Sequence, residues 1–198
     1  MSEITQASGD TFLAGVMSGS GFNFNDKSAV AAQTFFPVVL TPTLGEKGQI
    51  KKFWADFIHQ VIGEPHYSFT LTLRPLKGLS SSDTKVKDAK KAMSWFVNVL
   101  NTKCFGHGYC RKNIELGFFA TLEGLGDYEQ PHWHGAIRLP QRLTNEKFLR
   151  AFEAARQKTK RFGRQFDLEP YYGKDWFEYT IKTGPDSVHP EFLRPGTM

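Results

Sequence analysis

Two histidines separated by one residue, His132 and His134, are the side chains in this sequence best placed to bind a metal ion. They fall in a segment that predicts a β-strand from His132 to Leu139, and a strand directs alternate side chains to the same face. Both imidazoles therefore point one way, and Trp133 points the other way. Two nitrogen ligands leave open positions for a carboxylate, a phosphate and water around a divalent ion. The same pattern also suits a half-exposed sheet edge that binds no metal.

A third ligand is expected from the strand that precedes the histidines. That strand is predicted from Ile114 to Leu122, and an antiparallel return would bring the next residue, Glu123, beside the two imidazoles. Glu129 and Asp127 in the connecting turn are rival ligands. Glu123 is preferred because a hairpin site needs a ligand on the strand, whereas Asp127 suits the turn. Mixed nitrogen and oxygen ligation favours Mn²⁺ or Mg²⁺, although Zn²⁺ would also bind imidazole.

Tyr179 and Lys182, three residues apart, could supply a nucleophile and a cation that assists it. They fall on a predicted helix from about Lys174 to Thr183, which places them one turn apart. A free phenol has a pKa of about 10 and is a poor nucleophile at neutral pH. A metal ion that polarises a phosphodiester would therefore have to lower much of the barrier. Tyr171 and Tyr172 are nearby alternatives, and an ordinary amphipathic helix would also carry such residues.

The elements predicted around these residues alternate between strands and helices. Apolar residues at steps of three and four predict three further helices, with Thr144 as the N-cap of the last: 47–62, about 84–102, and 145 to about 160. Alternating residues predict a strand at 67–73, and a short strand is assigned at 166–170. The resulting order is strand, helix, strand, strand, helix, strand, helix. It predicts an α+β fold with an antiparallel sheet and packed helices.

The order of the motifs resembles that of the HUH endonucleases, and specifically the single-tyrosine rolling-circle replication initiator (Rep) proteins. The segments that carry the resemblance are Phe69-Thr70-Leu71-Thr72, Glu123 followed by His132-Trp133-His134, and Tyr179-Thr180-Ile181-Lys182. The resemblance implies a ferredoxin-like core. It also implies that His132, His134 and Glu123 bind the metal, that Tyr179 is the nucleophile and that Lys182 assists.

The reaction implied by this resemblance is the nicking and rejoining of single-stranded DNA at a replication origin, near a hairpin. The tyrosine would form a 5′-phosphotyrosine link and release a 3′-hydroxyl that primes replication, with host replication proteins as possible partners. A relaxase or single-strand transposase would use the same chemistry. A non-catalytic nucleic-acid-binding module is the alternative from another class. The chain has no phosphate-binding loop of the Gly-x-x-x-x-Gly-Lys-Ser/Thr type, so no helicase domain is expected here.

The length of 198 residues suits one catalytic domain with extensions. We expect an N-terminal arm at 1–45, the HUH endonuclease domain with a leading helix at 46–185, and a C-terminal tail at 186–198. A net charge of +5 favours a polyanionic partner. The basic residues cluster at 85–91 and again at 150–164. The lysine-rich helix is either a solvated face or a surface that follows the DNA backbone.

The remaining composition bears on the compartment and on metal chemistry. No secretory signal and no apolar run long enough to cross a bilayer is recognisable, so a cytoplasmic or host-cell interior location without membrane association is expected. Two cysteines do not suggest a disulfide framework. Cys104, His107 and Cys110 are close in sequence and could hold a structural zinc, but a fourth ligand is not evident.

Overall fold

The computed structural model describes residues 47–75, 82–126, 129–173, 175–181 and 184–197. Within these ranges the helices are α1 (Lys47–Ile62), α2 (Ser82–Phe105), α3 (Tyr109–Lys112), α4 (Asn145–Lys158) and α5 (Asp175–Thr180). The strands are β1 (Tyr67–Leu73), β2 (Gly117–Glu123), β3 (His132–Arg138) and β4 (Phe162–Pro170), and two 3₁₀ helices follow at Pro185–Ser187 and Pro190–Phe192. No helix in these ranges is both long enough and apolar enough to cross a bilayer.

The four strands form one sheet in the order β2-β3-β1-β4, and every neighbouring pair is antiparallel. The chain runs β1-α2-β2-β3-α4-β4, so each helix connects strands that are not neighbours in the sheet. This connectivity and strand order are those of a ferredoxin-like core. The α+β class and the antiparallel sheet with packed helices are therefore confirmed.

One face of the sheet packs against α2 and α4. Phe69 of β1 lies at the centre of this core, and its ring is 6.4 Å from that of Phe96 in α2 and 6.0 Å from that of Phe152 in α4. Phe118 and Trp133 belong to the same buried cluster. Large rings from three strands and two helices thus fill this side of the sheet. Their burial fixes the register in which β3 pairs with β2 and with β1.

The other face of the sheet packs against α1 and α5. Phe119 of β2 and Ala136 of β3 share a second apolar cluster with Ile58 of α1 and Phe177 of α5. The rings of Phe119 and Phe177 lie 5.8 Å apart, so α5 is held directly on β2. Because Ala136 and His134 are two residues apart on one strand, His134 lies on this same face. The histidine pair and α5 are thereby placed on one side of the sheet.

Several elements differ from the sequence predictions. Strand β2 begins at Gly117 rather than Ile114, and α2 extends to Phe105, beyond the predicted end at about residue 102. Strand β4 begins at Phe162 rather than Phe166, because an edge strand exposes most of its side chains and its first residues show no apolar alternation. The short helix α3 was not predicted, since four residues are too few to display a period. Helix α5 is described over Asp175–Thr180, and the predicted ends of this helix at Lys174 and Thr183 lie outside the described residues.

The segment predicted as a C-terminal tail packs along the outer edge of β2. Phe118 and Arg194 exchange two backbone hydrogen bonds of 2.9 and 2.8 Å, and Thr121 forms a second bridge with Val188. The rings of Phe192 and His189 then pack edge-on against Trp133. The segment therefore covers an otherwise open strand edge. The predicted N-terminal arm, residues 1–45, lies outside the described residues.

His189 makes the stability of this edge dependent on pH. Burial, followed by the nearby charge of Lys90, lowers the pKa of the His189 imidazole to about 4, against about 6.5 in an unfolded chain. Between these values the unfolded state binds a proton that the folded state does not, so stability falls as the pH falls through this window. We expect the free energy of unfolding in urea to drop by about 1–2 kcal/mol more between pH 7 and pH 5 in the native protein than in His189→Gln.

The exposed His107 provides the matched control for this prediction. His107→Gln should retain the full pH dependence of the native protein. Equal slopes in the native protein and in His189→Gln would show that His189 does not titrate in this window.

Candidate active site

The pairing of β2 with β3 brings the three predicted metal ligands together. Glu123 lies directly opposite His132 in the ladder, and Thr121 lies opposite His134. The Oε2 atom of Glu123 is 3.7 Å from Nε2 of His132 and 3.5 Å from Nε2 of His134. One candidate ligand atom from each residue lies within 4.8 Å of the others. The carboxylate and two imidazoles could therefore bind one metal ion.

Hydrogen bonds to the other ring nitrogens orient both histidines. Nδ1 of His132 is 2.9 Å from the carbonyl oxygen of Gln130. A carbonyl can only accept, so Nδ1 donates its proton, and a neutral ring would then offer the Nε2 lone pair to a metal ion. Nδ1 of His134 is 2.9 Å from the hydroxyl of Thr70 on β1. Such partners in a second layer fix the orientation of metal-binding imidazoles.

Burial distinguishes this cluster from a surface group of polar residues. The side chain of Glu123 is 2% exposed, that of His134 is 9% exposed, and that of His132 is 25% exposed. Nε2 of His134 is buried and has no hydrogen-bond partner within the described ranges. This nitrogen faces the Glu123 carboxylate at 3.5 Å, and a cation bound between the two would satisfy both buried groups. The residues present thus fit a divalent ion that is reached from the side of His132.

Two glycines allow the backbone to approach the ligands closely. Gly124 follows Glu123 with φ +72°, and a Cβ there would overlap the carbonyl oxygen of Gln130 and lie 3.0 Å from Nδ1 of His132. Gly135 follows His134, and a Cβ there would overlap the ring of Phe69. A side chain at either position would push a ligand-bearing strand out of place. The sequence therefore requires glycine after both the carboxylate ligand and the second histidine.

Gly124→Ala should lower the affinity for Mn²⁺ about 10–100-fold, the effect typical of disturbing a group that orients a metal ligand. The added methyl group displaces the carbonyl oxygen that holds the His132 ring. Gly106→Ala is the matched control, since Gly106 also has a positive φ of +83° but has no atom within 4 Å of the added Cβ. Both variants carry the same kind of backbone strain, roughly 1–2 kcal/mol. Calorimetric titration that gave equal Mn²⁺ affinities for the two would contradict the role assigned to Gly124.

Helix α5 places Tyr179 over the histidines. The centroid of its ring is 5.8 Å from that of His134, and the two rings meet edge to face. Phe177 and Thr180 are buried and hold the helix on the sheet, whereas Tyr179 is 54% exposed. The phenol ring thus lies beside one candidate metal ligand and remains half exposed. Lys182, its predicted assistant, lies outside the described residues.

The two rival tyrosines occupy different environments. Tyr171 packs its ring against Trp176 and Phe177, and its hydroxyl is buried without a hydrogen-bond partner in the described part of the chain. Burial raises the pKa of the Tyr171 phenol above its usual range, which disfavours the phenolate. Tyr172 is 79% exposed at the surface. Of the three tyrosines, Tyr179 is the one whose ring contacts a candidate metal ligand.

The other candidate ligands do not join this cluster. Glu129 is exposed and is not part of the grouped ligand atoms, and Asp127 lies outside the described residues. Cys104 is buried in the apolar core, where burial raises the pKa of its thiol to about 12, while Cys110 is exposed on α3. A zinc site built on these two cysteines would need both as thiolates. Among the residues described, the cysteine segment with His107 forms no metal-binding group.

The predicted basic clusters lie away from the candidate metal centre and are partly neutralised. Helices α2 and α4, which carry most of these residues, pack on the opposite face of the sheet from His134. Four of the basic side chains form ion pairs, Arg150 with Glu146, Arg156 with Glu153, Arg161 with Asp88 and Lys90 with Glu191. These residues therefore do not surround the histidine pair.

Gln130 and Gly124 contact the candidate ligands but were not singled out in the sequence, and Thr70 lay in a motif segment without an assigned role. The carbonyl of Gln130 carries no sequence signal at all. The alternation of hydroxyl and apolar residues on β1 could have indicated that Thr70 faces the histidines, once the pairing of β1 with β3 was known.

The site as a whole combines a buried carboxylate, two oriented imidazoles and an exposed phenol, contributed by β2, β3 and α5. The three ligands could bind a divalent cation, and the phenol ring lies beside one of them. No protein-family model, no curated protein and no solved structure matches this chain.

Proposed function

We propose that this protein is a metal-dependent endonuclease and strand transferase that acts on single-stranded DNA with Tyr179 as its nucleophile. The observation that carries the proposal is the contact between the Tyr179 and His134 rings at the open side of the Glu123, His132 and His134 cluster. These residues come from three separate elements. A chance surface arrangement would not also include a carboxylate and an imidazole that are both buried and face each other at 3.5 Å.

The reaction proposed is a phosphoryl transfer to the tyrosine. A divalent ion bound by the three ligands, Mn²⁺ or Mg²⁺ in our proposal, would polarise the phosphodiester as a Lewis acid. The oxygen of Tyr179 attacks phosphorus, the bond to the 3′-oxygen breaks, and the phenol loses a proton while the released 3′-oxygen gains one. Glu123 and the two imidazoles hold their positions, because Thr70 and the Gln130 carbonyl restrain the rings. Lys182 is assigned from its motif as the cation that favours the phenolate.

Strand transfer and not hydrolysis is proposed because the 5′-phosphotyrosine link conserves the energy of the phosphodiester. Attack by a second 3′-hydroxyl on that link would rejoin the strand and release Tyr179. An enzyme of this kind suits initiation of replication at an origin, where the free 3′-hydroxyl serves as primer. The motif order, with Tyr179 after the histidines, favours an initiator over a relaxase. The origin DNA, its hairpin and any host replication proteins are the partners proposed.

The experiment that tests this function follows a labelled single strand from a random pool incubated with the protein and Mn²⁺. A 3′-end label should migrate with the protein after denaturation, because the fragment beyond the nick keeps its 5′-phosphate on the tyrosine. A 5′-end label should appear on a free fragment that a polymerase can extend. Chelation of the metal should abolish both products. Absence of any covalent product with Mn²⁺ or Mg²⁺, or retention of the 5′ label on the protein, would overturn the proposal.

A further inference from the structure

A cleft of about 130 Å³ opens on the same face of the sheet, next to the candidate metal centre. Its lining residues are Ser68, Phe69, Thr70, Asp167, Glu169 and Trp176. Strand β1 pairs with β4 so that Thr70 lies opposite Asp167 and Ser68 lies opposite Glu169. Thr70 belongs to both sites, since its hydroxyl also holds the ring of His134. A nucleotide whose phosphate lies at the metal centre therefore has its base within reach of this cleft.

The charge in the cleft excludes the phosphate backbone. Asp167 and Glu169 are exposed, and within the described ranges neither carboxylate forms an ion pair or a hydrogen bond. Two carboxylates that have no cationic partner among these residues repel a phosphate at short range. They are acceptors only, so they favour a group that presents N–H donors. The part of a DNA strand that satisfies this requirement is the edge of a base.

Two further groups in the cleft suit a base. The Ser68 side chain belongs to a residue that is 7% exposed, lies on the side of β1 facing the cleft, and makes no hydrogen bond within the described chain. Its hydroxyl is therefore available to form a hydrogen bond with a group bound in the cleft. Trp176 forms an aromatic wall, and contacts with Tyr171 and Phe177 hold its indole in place. Aromatic side chains of this kind stack on bases in single-strand binding proteins.

We propose that this cleft binds a guanine base next to the scissile phosphate, which deepens and rests on the function proposed above. Guanine presents two adjacent N–H donors, N1 and the N2 amino group, that one carboxylate can accept together. The O6 atom beside them accepts a hydrogen bond from a hydroxyl such as that of Ser68. Adenine and cytosine present one amino group on this edge, and thymine presents one N–H between two carbonyls. The stacked indole holds the ring while Asp167 and Glu169 select its edge.

The test uses full-length Tyr179→Phe protein, which cannot form the proposed adduct, with Mn²⁺ and a pool of random single strands. Sequencing of the bound strands should show guanine enriched about tenfold at one position. The double variant Asp167→Asn/Glu169→Gln, made in the same background, should lose this enrichment. Glu146→Gln, which alters an exposed carboxylate on α4 across the sheet, should retain it. Replacing the selected guanine with inosine, which lacks the N2 amino group, should weaken binding about tenfold in the Tyr179→Phe parent. The same replacement should have no effect on binding by the double variant.

Several results would overturn this inference. A parent protein that fails to bind single strands or shows no guanine enrichment contradicts the proposed role of the cleft, and so does enrichment that persists in the double variant. A loss of Mn²⁺ affinity in the double variant would instead identify the carboxylates as cation ligands. Guanine selection by a protein that never forms a covalent product would remove the proposed nicking function but support the cleft. A covalent product without guanine preference would support the nicking function and remove the proposed role of the cleft.

Discussion

Replacing Tyr179 with phenylalanine should eliminate the covalent protein–DNA product and reduce nicking by at least about 1,000-fold, as expected when a nucleophile is removed. The change deletes only the hydroxyl and keeps the ring that contacts His134. Because the side chain is 54% exposed, the free energy of unfolding should change by less than about 0.5 kcal/mol. Single-turnover nicking of labelled single strands, with urea unfolding in parallel, measures both quantities.

Tyr172→Phe is the matched control, since Tyr172 is an exposed tyrosine close by in the chain. It should nick at the native rate. Tyr171→Phe should also remain active and be at least as stable as the native protein, because it removes a buried hydroxyl that has no partner in the described chain. An adduct that survives Tyr179→Phe and disappears in either of the other variants would identify the tyrosine replaced in that variant as the nucleophile.

Replacing Glu123 with glutamine should weaken Mn²⁺ binding by more than about 100-fold, because the change removes a metal ligand itself. Loss of a residue that only orients a ligand costs about 10–100-fold. Glutamine has nearly the same size as glutamate, so the substitution leaves no cavity at this position, where the side chain is 2% exposed. Mn²⁺ at 100 times its dissociation constant should add about 2.7 kcal/mol to the native stability and almost nothing to that of the variant. Thermal unfolding with and without Mn²⁺ distinguishes these cases.

Glu129→Gln is the control for this second prediction, because Glu129 is the exposed carboxylate in the turn between the two ligand-bearing strands. It should bind Mn²⁺ as the native protein does. If Glu129→Gln lost the metal-dependent stabilisation and Glu123→Gln kept it, the carboxylate ligand would be misassigned.

Much of the fold could be predicted from local patterns. Helix α1 and strand β1 have the predicted bounds, because each has a sharp period and is closed by glycine or proline, at Gly63 and at Pro75. The start of β4 and the packing of residues 184–197 were not predictable in the same way. The start of β4 is set by pairing with the end of β1, which is far away in sequence, and the last segment is set by the open edge of β2. Non-local pairing of this kind leaves no period in the sequence.

The candidate site likewise contains some features that the sequence could predict and others that it could not. The proximity of Glu123 to His132 could be predicted, because a hairpin between adjacent strands fixes its own register. The placement of Tyr179 over His134 depends on how α5 packs against Phe119, and the motif resemblance rather than any spacing suggested it. The Thr70 hydrogen bond and the cleft beside Trp176 depend on β1 lying between β3 and β4. That strand order is a property of the whole sheet, so neither feature could be read from one segment.

The measurement that tests the central claim most directly is mass spectrometry of the protein after reaction with single-stranded DNA and Mn²⁺, followed by nuclease trimming and proteolysis. Phosphoryl transfer at the Glu123, His132 and His134 centre predicts nucleotides attached through a 5′-phosphate to the peptide that contains Tyr179, with the modified atom on that tyrosine. The same modification should be absent from Glu123→Gln. Attachment to any other residue, or a nicked strand with no nucleotide on the protein, would contradict the account.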